Sequence, residues 1–156
     1  MSFVESLKKT NAKTGNLSGG GGGGVVPETP QDLLACYVGC NTVFSDLHMM
    51  VGRNCLTPTR KINDALVKML MNYYNKKAKH HLHKPDKIKA LANFAITANL
   101  KYFGVNKSYT IREVADICDI KTMTFNDNYK SLFHDFYSLI EMGLYKVEKR
   151  GQSKRF

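Results

Sequence analysis

The stretch "REVADICDIKTMTFNDNYKSLFHDF", residues 112–136, decides how the chain is read. Ile111, Val114, Ala115 and Cys118 recur at helical spacing behind Thr110, which can cap a helix while Glu113 closes a capping box. The period breaks across 119–123. It resumes in a helix that opens on Thr, Asn and Asp near Thr122 or Thr124 and is expected to run to Met142, with Gly143 as its stop. Helix, turn and second helix in this order, over 108–142, match a helix-turn-helix. They match a plain helical hairpin equally, because Thr, Asn and Asp are what any helix uses as caps. The turn carries Asp119 where a glycine is often found.

Working outward, Thr29-Pro30 with Asp32 reads as a cap, a proline at the first helical position and an acidic first turn. Leu33, Tyr37, Cys40, Phe44, Leu47 and Val51 then predict a helix over 30–50. A second start at Thr57-Pro58 leads into the stripe Ile62, Leu66, Met69, Leu70, Tyr73, ending near Lys79. Pro85 opens a third helix with Ile88, Leu91, Phe94, Ala95, Ala98 and Tyr102 on one face and Gly104 at its end. Ala92, Ala95 and Ala98 would let a neighbouring helix come close. Val and Thr are too scattered for a sheet, so the expected fold is all-α: a compact helical bundle over 29–145 with a C-terminal helix-turn-helix. A disordered, Gly-rich N-terminal arm, 1–28, with six consecutive glycines, is expected to precede it, and a short, loose basic tail, 146–156, to follow.

The chain has 156 residues, 43% apolar and 10% aromatic, enough for one core. Lys and Arg exceed Asp and Glu by 23 to 13, a formal charge of +10 that calls for a polyanionic partner. No apolar run approaches the ~20 residues of a membrane span. The first residues lack the apolar core of a signal peptide, so a cytoplasmic protein is expected. Cys36, Cys40, Cys55 and Cys118 form no CxxC pair and read as small core residues. His80, His81 and His83 lie close, but adjacent histidines point to different sides of a helix and no acid stands at an HExxH spacing, so no metal is expected. No nucleophile with a base beside it, paired carboxylates or cofactor turn stands out. A binding protein without cofactor, not an enzyme, is the expectation.

In a helix-turn-helix the start of the second helix enters the major groove. Thr124, Asn126, Asn128, Lys130 and Ser131 are the side chains there that can pair with base edges or phosphates. The basic segment 76–84 is a second candidate, a phosphate-touching face carrying Lys76, Lys77, Lys79, His80 and Lys84.

Three stretches resemble the late-gene antitermination proteins of lambdoid bacteriophages, the Q family: NDALVKMLMNYYNKKAKHHL (63–82), DKIKALANFAITANLKYFG (86–104) and EVADICDIKTMTFNDNYKSLFHDFYSL (113–139). They cover about half the chain, in the family's order. Where the lambda-type members carry a four-cysteine zinc insertion, only 105–109 bridge the gap, so the likeness is to a zinc-free variant. The resemblance implies a protein that binds double-stranded DNA at a phage late promoter and loads onto paused, sigma-containing bacterial RNA polymerase. It then makes the enzyme read through terminators, in the cytoplasm of the infected host. It implies DNA contacts at Lys121, Thr124, Asn126, Asn128, Lys130 and Ser131, with Tyr129 packing to aim the helix. For 76–84 it implies a phosphate contact or a lining for polymerase or nascent RNA. The rival readings are a helix-turn-helix repressor or activator on an operator, and a small basic RNA-binding protein that would not need 124–131.

Overall fold

The computed structural model describes residues 3–12, 41–77 and 83–155. These residues form helices joined by turns, with no strand among them, so the all-α expectation holds. We number the helices α1 (Phe3–Ala12), α2 (Thr42–Gly52), α3 (Arg60–Lys77), α4 (Pro85–Tyr102) and α5 (Ile111–Ile117). The last, α6, opens as Thr122–Thr124, passes through a π-helical turn, Phe125–Tyr129, and continues as Lys130–Arg155.

Helix α4 is the centre of the core. Pro85 stands at its first turn, where a missing N–H costs nothing, and Gly104 takes φ +72° just beyond its end. Between them Ile88, Leu91, Ala92, Phe94, Ala95, Ile96, Ala98, Asn99 and Leu100 are all buried, because α2, α3, α5 and α6 pack around it. Ala92, Ala95 and Ala98 have no exposed surface, which is the close approach that small residues allow. Asn99 donates its amide to the Ala95 carbonyl at 2.8 Å and to the Tyr137 carbonyl of α6 at 3.2 Å, a buried polar tie between α4 and α6. Toward α5 the core is aromatic: Tyr109 meets Phe133 and Tyr137 with ring centroids 4.8 Å apart in each case, and Phe94 stacks on Phe133 at 5.8 Å.

Four boundaries differ from the sequence reading. Helix α2 starts at Thr42, because the Asn41 side chain caps it, accepting from the Val43 and Phe44 N–H groups at 3.0 and 3.3 Å; the predicted part over 30–40 lies outside the described residues. Helix α3 begins at Arg60, past Pro58, and is described to Lys77. Part of the expected disordered arm, residues 3–12, is helical: Phe3 and Val4 are fully or almost fully buried, and α1 packs on α2 and α6; the remainder, 13–28, lies outside the described residues. The long helix does not stop at Gly143, and the expected loose tail continues it to Arg155. Gly143 and Gly151 are helical positions over which the rings of Phe44 and Phe3 lie so closely that any Cβ would overlap them.

Candidate nucleic-acid interface

The predicted cap of α5 forms: the Thr110 hydroxyl accepts from the Glu113 N–H at 3.1 Å. Burial pushes the Glu113 carboxyl up. Hydrogen bonds from the Tyr102 hydroxyl at 2.7 Å and Lys101 Nζ at 3.0 Å, the Lys101 charge and the Thr110 backbone outweigh it and hold the group below the ordinary carboxylate value. The far end of α5 closes as a Schellman turn, with the Ile120 N–H donating to the Ala115 carbonyl at 2.9 Å and the Asp119 N–H to the Asp116 carbonyl at 3.3 Å. Asp119 adopts φ +54° and so does what the expected glycine would do. From α4, Lys87 Nζ donates to the Asp119 and Cys118 carbonyls at 2.7 and 3.4 Å, satisfying the orphan acceptors of the helix end.

After this turn the chain enters α6 through the π-helical turn, in which the Lys130 N–H donates to the carbonyl of Phe125, five residues back. Phe125 and Tyr129 are buried, and the three polar residues between them, Asn126, Asp127 and Asn128, are exposed. Lys121, Lys130 and Ser131 are exposed as well, while Thr124 is half-buried. Tyr129 is an internal support rather than a contact, since its hydroxyl accepts from the Lys84 N–H at 3.1 Å. Two exposed apolar side chains, Ile117 and Met123, flank the turn.

Of the second candidate set, Lys84 reaches the same place. Lys76 and Lys77 are exposed in the last turn of α3, with Lys77 Nζ 5.7 Å over the Tyr73 ring; Lys79 and His80 lie outside the described residues. Where the chain is described again, His83 Nε2 lies 2.7 Å from the Asn128 carbonyl oxygen, and His83 Nδ1 lies 3.0 Å from the Tyr74 hydroxyl. The His83 ring packs on Tyr129 at 5.0 Å and on Tyr74 at 5.6 Å. Burial, then the neighbouring Tyr129, raises the Tyr74 hydroxyl above its usual value, so it remains a proton donor at neutral pH. The end of the basic segment, with exposed Lys84, is thus hydrogen-bonded to the end of the polar π turn.

Sequence reasoning gave His83, Tyr74 and Lys87 no role in this site, and noted Asp119 only as standing where a turn glycine is often found. His83 and Tyr74 had no distinguishing pattern, since one His among several and two adjacent tyrosines look like core or surface. Lys87 follows Pro85 by two positions and reads only as a first-turn charge. Burial pushes the Cys118 thiol up to about 11, with Lys87 opposing, which makes it an inert core group. Among the described residues no three His, Cys, Asp or Glu side chains are placed to hold a metal ion, and no helix is long and apolar enough to cross a membrane.

A separate cleft of about 360 Å³ lies farther along α6, where Phe44, Met69, Leu139 and Val147 meet Met142 and the cations Lys146 and Arg150. Comparison of the chain with known protein families, with curated proteins and with solved structures finds no match.

Proposed function

We propose that the chain binds duplex DNA, with α5, the turn 118–121 and the start of α6 acting as a helix-turn-helix, and that it serves as a transcription antitermination factor of the phage Q type. The observation that carries the DNA reading is the junction of His83 and Lys84 with Asn128 and Tyr129, which joins the end of the basic segment to a turn whose exposed residues are Asn126, Asp127 and Asn128. Phosphate contacts fix register, whereas Asn and Lys side chains at base edges read sequence. The +10 charge supplies the sequence-independent attraction.

The antitermination reading rests on the resemblance of 63–82, 86–104 and 113–139 to that family. Such a factor must hold a protein as well as DNA. The cleft at Phe44, Met69 and Met142, edged by Lys146 and Arg150, is the candidate surface for polymerase. Leu139 stands nine residues beyond Lys130, roughly 14 Å along the helix, so the two surfaces are separate.

The test is transcription in vitro by sigma-containing polymerase from a late promoter through a strong terminator, with and without the protein. Increased readthrough that needs both the promoter element and the protein is the expected result. Met142→Glu should remove readthrough and leave DNA binding intact. Specific DNA binding with unchanged readthrough would leave a repressor or activator instead.

A further inference from the structure

The partners of His83 assign its proton. A backbone carbonyl only accepts, so Nε2, 2.7 Å from the Asn128 oxygen, carries a hydrogen; Nδ1 lies in hydrogen-bond contact with the Tyr74 hydroxyl at 3.0 Å. The ring is held on both nitrogens and packs against the rings of Tyr74 and Tyr129. What it holds in turn is the carbonyl of the last exposed residue in the π turn.

A π turn contains one residue more than the α-helical turn it replaces, and it is rare outside such single turns within α-helices. If the turn relaxed to α-helical register, everything on its N-terminal side would rotate by about 100° against the body of α6. Asn126 and the residues before it would then face elsewhere. The π register therefore sets which amides point outward, and the bonds from His83 to Asn128 and from the Lys84 N–H to Tyr129 are what grip it from outside the helix.

We propose that His83 is a positioning residue for base reading: its Nε2–H holds the Asn128 carbonyl, and so keeps the π turn in the register that presents Asn126 and Asn128. The proposal rests on the reading of 121–131 as the DNA-contacting segment. It requires that losing this one donor reduces discrimination between sequences and spares the phosphate-driven affinity.

Side-chain amides separate the two nitrogens of the ring. In His83→Gln the amide nitrogen falls where Nε2 stands and can still donate to Asn128; in His83→Asn it falls near Nδ1 and cannot reach. The probes are the duplex selected by the wild-type protein from a randomised pool and a scrambled duplex of equal length. His83→Asn and His83→Ala should lower the ratio of specific to scrambled affinity by about tenfold, the size of one good base contact. Scrambled-duplex affinity and its salt dependence should stay unchanged, and His83→Gln should restore the ratio. In the free protein, backbone hydrogen exchange over 125–130 should rise in His83→Asn and not in His83→Gln.

A ratio that survives His83→Asn overturns the proposal alone, as does equal loss in the Gln and Asn variants or a parallel fall on both duplexes. Wild-type protein with no preference for any duplex overturns the DNA reading with it.

Discussion

Asn128 and Lys130 are exposed two positions apart at the start of α6, yet they should fail differently when truncated. Asn128→Ala removes a side chain able to pair with both edge groups of an adenine, so base preference at one position should relax by about 1 to 3 kcal/mol. Lys130→Ala removes a charge, so binding should weaken across all sequences and the logarithmic salt slope should flatten by about one. Titrations of both variants on matched and scrambled duplexes at several salt concentrations separate the two effects. DNA binding that both substitutions leave unchanged would remove 121–131 from the interface. Asp119 is a different kind of residue, since its value lies in its backbone. At φ +54° an L-residue crowds its own carbonyl, and glycine does not. Asp119→Gly should therefore raise stability by about 0.5 to 1 kcal/mol, seen as a Tm increase of a few degrees. The carboxylate it removes is fully exposed and 3.7 Å from Lys87, too solvated to offset the gain; the Lys87 bond to the Asp119 carbonyl stays.

At the scale of elements, the helices that carry a strong apolar period were legible, and so were the ends that local chemistry sets; the ends that tertiary packing sets were not. The existence of α3, α4 and α5, the Pro85 start, the Gly104 end and the Thr110 cap all follow from local chemistry. Gly143 misled because a glycine near the end of a periodic stretch reads as a stop, and only tertiary packing shows that it makes room for Phe44. The π turn was illegible for the same reason: what stabilises it, His83 and Lys84, comes from another part of the chain. The glycine reading has a consequence whose sign can be checked. In an open helix Gly→Ala gains about 1 kcal/mol. Here the new methyl would overlap the Phe44 ring, so Gly143→Ala should instead cost about 1 to 3 kcal/mol in urea denaturation. In a Phe44→Ala background the same substitution should become stabilising. If it destabilises equally with and without the ring, Gly143 serves some purpose other than seating Phe44.

Across the whole molecule, the two ends of the chain meet at one carboxylate. Glu148 of α6 accepts from the Val4 N–H at 3.1 and 3.2 Å to its two oxygens and lies 2.6 Å from Nε2 of the fully buried His48 of α2. The first N–H groups of a helix have no partner within it, so Glu148 does for α1 what a capping side chain does elsewhere, with the helix dipole in its favour. Burial pushes the Glu148 carboxyl up, but the His48 hydrogen bond and charge and the backbone N–H groups of Val4 and Phe3 outweigh it and hold the group below the ordinary carboxylate value of 4.5. A group depressed on folding contributes stability that is fully present above its unfolded value and is lost as pH falls through its folded one. Acidification below the ordinary carboxylate value should therefore loosen α1 first. The measurement is hydrogen exchange at Val4 and Ser6 against that at Leu91 and Ile96 in α4, which should stay protected longer. Glu113, also depressed, adds to any global acid transition, so only the local exchange isolates Glu148. Glu148→Gln keeps an acceptor without the charge; it should raise exchange in α1 at neutral pH and flatten its dependence on acid. An unaltered acid response in that variant would place the titrating group elsewhere.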